Sequence, residues 1–329
     1  MTQPILGVLT VNTGTPAAPR AREVRQFLRR FLSDPRVIEL PRWLWLPLLH
    51  ALVLPLRARR SARNYRRVWM DDGSPLAVHS RRLRTALEIE LDAKLPGAVS
   101  VESAFLYSEP QVRDALQSLR AAGAQEIVVL PLYPQASGTT TGPVYEQVGA
   151  AMRDWRALPH LHQIGHYHDD AGYVRALANS LREHWQQHGR TAHLLMSFHG
   201  IPVHCVERGD AYEAQCRETA RLLAAELQLG SEEWSLSFQS RFGKARWLAP
   251  ATAAELAALP ERGLRTVSVI CPGFAVDCLE TLEEIAIAGR EIFLRAGGQQ
   301  FQYVPALNDR GDHAQALCRL VLAHAGPSG

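Results

Sequence analysis

The sequence has little cysteine for its length. Cys205, Cys216, Cys271, Cys278 and Cys318 are five thiols among 329 residues; their number is odd and no CxxC pair occurs. That excludes a dense disulfide framework and zinc-type spacing, and it points to a reducing, cytoplasmic setting. Charge of one sign is also scarce. A net charge of +3 falls short of the one-sided basic excess typical of nucleic-acid binders, so no nucleic-acid partner is expected. No apolar run is long enough to span a bilayer. The first one, Ile5 to Val11, has no basic start before it, so no signal peptide is expected. There is no GxGxxG, and no glycine-rich loop ends in Gly-Lys-Ser/Thr, which leaves a nucleotide cofactor unsupported.

What is present is alternation. Hydrophobic residues make up 47% of the chain, enough for one large core or two ordinary domains. Short apolar runs at 5–11, 99–106, 127–132, 193–198, 234–238, 266–271 and 301–304 read as strands. Helical patterns at 78–95, 111–122, 172–188, 212–227 and 279–296 lie between them. This alternation predicts α/β architecture, with parallel sheets flanked by helices. The halves also echo each other. Val8-Leu9-Thr10-Val11-Asn12-Thr13-Gly14-Thr15-Pro16 resembles Leu194-Leu195-Met196-Ser197-Phe198-His199-Gly200-Ile201-Pro202, and Val128–Pro134 resembles Ser268–Phe274. Two similar domains follow, residues 1–165 and 166–329, with the last segment a candidate to return to the first.

His199 ends an apolar strand and opens a Gly200-Ile201-Pro202 exit loop. Open α/β sheets place their chemistry at such strand ends. A neutral imidazole suits either a general base or a metal-handling group. A second strand leads through Pro272-Gly273 into a helix carrying Glu280, Glu283 and Glu284. At α-helical spacing Glu280 and Glu284 share a face while Glu283 turns away. The plainer reading of these acids is stabilisation of a helix N-terminus, with Asp277 as N-cap. Facing a histidine, they would instead form a track for protons or a divalent ion.

Three other segments stand out. Residues 43–56 are apolar nearly all round and are followed by Arg57, Arg59, Arg60, Arg63, Arg66 and Arg67. Such a stretch is either a buried helix followed by a solvated basic one, or an apolar lip that meets lipid or a flat, greasy substrate. The hydroxyl-rich Ser137–Gly142 run has the composition of an anion cradle. His160, His162, His166 and His168 form a patch whose ordinary reading is solvated surface.

The motifs Val11-Asn12-Thr13-Gly14-Thr15-Pro16, Asp72-Gly73-Ser74-Pro75-Leu76, Leu130–Gln135, Ser197–Pro202, Phe238–Gly243, Cys271–Phe274 and Asp277–Ile285 occur in one order along nearly the whole chain. Together they resemble ferrochelatases, which insert ferrous iron into a porphyrin at the last step of haem synthesis. The resemblance implies two Rossmann-like, chelatase-type domains with an active-site cleft between them. It implies that His199 is a metal ligand or pyrrole proton acceptor, that Glu280 shares its pocket and any metal ligation, and that Glu284 continues a proton or metal path. Ser74, Tyr133, Arg59, Arg60 and Asn12 take the porphyrin-binding positions. Protoporphyrin IX and Fe2+ are the implied substrates, with no organic cofactor and no [2Fe-2S] cluster expected. Peripheral contact with the inner face of the membrane through the lip is implied as well.

The chain departs from the family pattern at Leu106, where many members carry an arginine, and at Ala288, where some carry a further acid. No C-terminal cysteine extension of the kind that holds a cluster is expected either. Two alternatives stay open on the sequence: a chelatase for another tetrapyrrole such as coproporphyrin, and a non-enzymatic porphyrin or haem carrier.

Overall fold

The structure is a computed structural model that describes residues 5–243 and 245–325. The chain divides into two units. The first contains residues 1–133, 137–165 and 309–329; the second contains 134–136 and 166–308. The division expected at 165/166 therefore differs in one place, and the last segment is grouped where it was a candidate to return. A three-residue piece after the third strand belongs to the second unit, and the C-terminal segment belongs to the first.

In the first unit, β1 (Ile5–Asn12) is followed by α1 (Ala21–Leu32), α2 (Arg42–Leu48), α3 (Leu54–Val68) and α4 (Pro75–Asp92). Then come β2 (Val99–Phe105), α5 (Val112–Ala121), β3 (Ala124–Pro131), α6 (Thr141–Met152) and β4 (His160–Gln163). The sheet order is β2-β1-β3-β4, every pair parallel. β1 is buried along nearly its whole length, as a central parallel strand covered on both faces must be. α4 begins where its sequence says it should. Ser74 is the N-cap and accepts from the Ala77 N–H, and Pro75 takes the first helical position.

In the second unit, α7 (Ala171–His188), β5 (His193–His199), α8 (Val203–Glu207), α9 (Tyr212–Glu226), β6 (Trp234–Gln239), α10 (Thr252–Ala258) and β7 (Thr266–Ile270) precede a π-helix over Glu280–Gly289. That helix runs directly into α11 (Arg290–Arg295), and β8 (Gln300–Tyr303) completes the sheet. The order β6-β5-β7-β8 is again all parallel and repeats that of the first sheet. Each echoed sequence pair occupies the same place in its own sheet: β1 corresponds to β5, and β3 to β7. The π-helix is held by its apolar side. Ile285 of the π-helix and Phe293 of α11 pack with Leu195, Leu256, Leu259, Val267, Val269 and Cys271. The last helix, α12 (Gly311–His324), packs on α4 in the first unit.

Candidate functional site

In both sheets the chain runs outward in opposite directions from the two central strands. The crevice beyond their carboxyl ends is where such sheets bind ligands. In the second unit β5 delivers His199 to that edge, and β7 ends there in Cys271-Pro272-Gly273-Phe274. The Pro272 carbonyl accepts the Tyr173 hydroxyl. The Phe274 ring lies 6.4 Å from that of His199, centroid to centroid.

His199 is half-buried, and its Nδ1 lies 2.7 Å from the Gly200 carbonyl oxygen. A carbonyl can only accept, so Nδ1 carries a proton in this contact, and whenever the ring is neutral the lone pair is on Nε2. Gly200 is needed for a steric reason. Its N–H donates to the Gln239 carbonyl at 2.7 Å, and a Cβ there would lie 2.9 Å from that same backbone oxygen.

Glu280 and Glu284 both stand on the π-helix rather than on the α-helix expected for 279–296. The wider turn keeps a four-residue spacing on nearly one side, so the shared face survives the change of helix type. π-helical turns are rare and concentrate at functional sites. Two residues that were not singled out from the sequence position these acids. Gln239, 2% exposed, donates through Nε2 to the Glu280 carbonyl at 3.0 Å and accepts the Ser197 hydroxyl at 2.8 Å. Ser240 donates its N–H to Glu284 Oε1 at 2.7 Å and its hydroxyl to Oε2 at 2.5 Å. Ser240 adopts φ 67°, an uncommon conformation for a residue with a side chain. The paired bonds to Glu284 hold it there. Its only sequence signal was membership of the Phe238–Gly243 motif.

Burial pushes the Glu284 carboxyl above its ordinary 4.5; the Ser240 bonds and the neighbouring His199 pull it down, and Glu280 adds to the rise. The folded state therefore favours the acid form more than the unfolded chain does. The stability this group contributes is fully present below the unfolded value and is lost as pH rises through the folded one. Glu284→Gln keeps an oxygen for the Ser240 N–H and removes the buried charge. It is expected to melt above wild type at pH 7–8, with the gain vanishing near pH 4. A melting difference that does not change with pH would contradict this.

Asp277 is not simply a helix N-cap. It is 4% exposed, and its carboxylate accepts from Thr281 Oγ1, Tyr303 Oη, Asn308 Nδ2 and the Ala306 N–H. Its own N–H donates to Asn308 Oδ1 at 2.8 Å. This network fixes the turn from which the π-helix leaves.

In the first unit, the corresponding strand ends carry Asn12 and Tyr133. Asn12 is 7% exposed, and its Oδ1 accepts the Thr13 N–H at 2.8 Å. The Tyr133 and Thr13 hydroxyls are 2.7 Å apart. Leu106 is buried and pairs its N–H with the Asn12 carbonyl. Ser74, at 2% exposure, is occupied in capping α4. Arg59 and Arg60 are both exposed but are not brought together. Arg59 lines a groove of about 590 Å³ with Arg20, Arg63 and Arg66, and Arg60 is not part of its wall. Successive residues on a helix point about 100° apart.

Residues 43–56 are neither wholly buried nor wholly a lip. Trp45, Leu49 and Leu54 are buried, with the Trp45 Nε1–H donating to the Leu32 carbonyl. Trp43, Leu44, Leu48, Leu52 and Leu56 are exposed along the other side of α2, a π-helical turn (Leu49–Val53) and α3. No helix among the described residues is long and apolar enough to cross a membrane. The Ser137–Gly142 run folds on itself: the Thr139 N–H donates to Ser137 Oγ, and the Thr140 and Gly142 N–H groups donate to the Ser137 carbonyl. All five cysteines are buried, and none of them is in a disulfide. Burial drives the Cys271 and Cys278 thiols well above their ordinary range, so they pack beside the site as neutral groups.

Comparison with known proteins adds four findings. A family model described as Ferrochelatase matches residues 6–325. A protein named Ferrochelatase from Thioalkalivibrio sulfidiphilus is 51% identical over 97% of this chain and 86% of its own. One of the same name from Aeromonas hydrophila is 50% identical over 96% of this chain and 97% of its own. Among solved structures, the sirohydrochlorin chelatase SirB from Bacillus subtilis, in complex with cobalt, superposes with a TM-score of 0.57 at 13% identity. It covers 98% of this chain and 95% of that one. At that identity the likeness speaks to the fold, two parallel four-stranded sheets flanked by helices.

Proposed function

The chain belongs to the ferrochelatase family, and on that premise we propose how its residues carry out iron insertion. The reaction places Fe2+ in protoporphyrin IX to give protohaem and two protons, the terminal step of haem b biosynthesis. It requires two pyrrole protons to leave, the ferrous ion to shed water, and the flat macrocycle to bend so that its nitrogen lone pairs face the metal.

One observation carries the assignment: the Nδ1–H bond from His199 to the Gly200 carbonyl, which leaves Nε2 as the free lone pair. That nitrogen accepts a pyrrole proton. Glu280 and Glu284 lie on one side of the π-helix and take the proton onward. Glu284, its carboxyl raised by burial, accepts a proton more readily than an exposed glutamate does. Gln239 and Ser240 act by positioning these two acids. The competing role for the same Nε2 lone pair is that of iron ligand, and a nitrogen that holds the proton cannot also hold the metal. Anaerobic Fe2+ binding to porphyrin-free wild type and His199→Ala separates the roles. Equal binding in both leaves the base assignment standing, and loss in the variant gives His199 the ligand role. Iron and porphyrin are substrates here, and no organic cofactor or iron–sulfur cluster enters the scheme.

Asn12, Tyr133, Ser74, Arg59 and Arg60 are assigned to porphyrin binding, the arginines as partners for its carboxylates. The exposed row Trp43, Leu44, Leu48, Leu52 and Leu56, beside the arginines of α3, suits a peripheral contact with the inner face of an anionic membrane. Trp43→Ser with Leu56→Ser is expected to weaken co-sedimentation with vesicles containing phosphatidylglycerol by about tenfold or more, at about 0.8 kcal/mol per buried CH2. Unchanged sedimentation would remove the membrane assignment. Turnover on a porphyrin panel that favours coproporphyrin over protoporphyrin would revise the substrate.

A further inference from the structure

We infer that His166, His168 and Asp169 form a second divalent transition-metal site, sharing no residue with the His199–Glu280–Glu284 group. The three lie on the turn that leads into α7. His166 Nδ1 and His168 Nδ1 are 3.1 Å apart, and Asp169 Oδ1 is 3.6 Å from the second and 4.0 Å from the first. Ligands about 2.0–2.1 Å from a tetrahedral ion stand roughly 3.3 Å from one another. The triangle therefore closes on one ion with a small rotation of Asp169, whose side chain is 56% exposed.

The backbone beneath the triangle is fixed on both sides. Tyr167, between the two histidines, is buried edge-on against Tyr173 with ring centroids 5.3 Å apart. The Tyr167 N–H donates to the Pro134 carbonyl at 2.9 Å. The Thr219 hydroxyl donates to the His168 carbonyl at 2.8 Å. Asp170 closes the turn with its N–H on the Tyr167 carbonyl, and it caps α7 by accepting the Tyr173 N–H. His168 is thus presented from a rigid support, with an 11% exposed side chain, while His166 and Asp169 open to solvent. Two imidazoles and one carboxylate, with remaining positions left to water, make a borderline donor set. It fits Fe2+, Co2+ or Zn2+ and does not suit Mg2+ or Ca2+.

The test uses the metal-stripped, porphyrin-free full chain carrying His199→Ala and Glu280→Gln, titrated with Co2+ and read by visible absorption and calorimetry. One equivalent with bands of a nitrogen- and oxygen-ligated ion is expected. Adding His166→Ala with Asp169→Asn, both at exposed positions, is expected to weaken it at least about 100-fold, since even outer-shell losses cost about 10–100-fold. No bound Co2+ in the first protein, or equal binding in both, would overturn the inference and leave a surface histidine pair. Neither result bears on whether the chain inserts iron.

Discussion

His199→Ala is expected to lower iron insertion by at least about 10²-fold while protoporphyrin IX still binds, because a positioned base contributes about 10²–10⁴-fold. The geometry makes this side chain hard to replace. Its Nδ1–H is spent on the Gly200 carbonyl, so in the neutral ring a single atom, Nε2, is left with a lone pair. Nearby thiols offer no substitute, since burial keeps Cys271 and Cys278 protonated. Porphyrin affinity from fluorescence quenching, measured beside kcat, separates loss of chemistry from loss of binding. Near-normal turnover would sink the assignment, and so would a variant that no longer binds porphyrin at all.

Asp277→Ala is expected to cost about 3 kcal/mol or more of stability. Asp277 accepts from Thr281, Tyr303, Asn308 and the Ala306 backbone in a buried setting. Hydrogen bonds to a charged group contribute about 1.5–3 kcal/mol each, and each buried donor left without a partner costs about 1–3 kcal/mol. Burial, the largest cause of the upward shift of the Tyr303 phenol, persists when Asp277 is removed, so the phenol remains a donor and cannot relieve the loss by ionising. Urea unfolding followed by tryptophan fluorescence reads the effect. Asp277→Asn, which keeps one oxygen for these donors, should fall between wild type and the alanine variant. A loss under about 0.5 kcal/mol for alanine would mean that water or rearranged partners satisfy the donors.

Much of this was legible in the sequence, for identifiable reasons. β1, β5 and β7 are central strands buried on both faces, so their apolar runs were unmistakable, and the histidine at the end of β5 followed from where that run stopped. β4 was missed as a strand because His160-Leu161-His162-Gln163 lies at a sheet edge. Its residues are exposed or half-buried and carry no apolar run. The helix after β7 was read at α-helical period, since nothing in Glu280–Gly289 announces a π-helix. Arg59 and Arg60 read as a pair in sequence but diverge on a helix. Gln239 and Ser240 could not be placed, because their importance lies in bonds to Glu280 and Glu284, more than forty residues away. The C-terminal helix gives no local sign of which unit it joins; its packing on α4 is a long-range choice.

The most direct test is anaerobic ferrous insertion into protoporphyrin IX, followed by loss of porphyrin fluorescence, with wild type, His199→Ala and Glu280→Gln side by side. Many turnovers in wild type and collapse in both variants is the expected result. A single stoichiometric equivalent of quenching, equal in all three proteins, would mean binding without catalysis and would contradict the account.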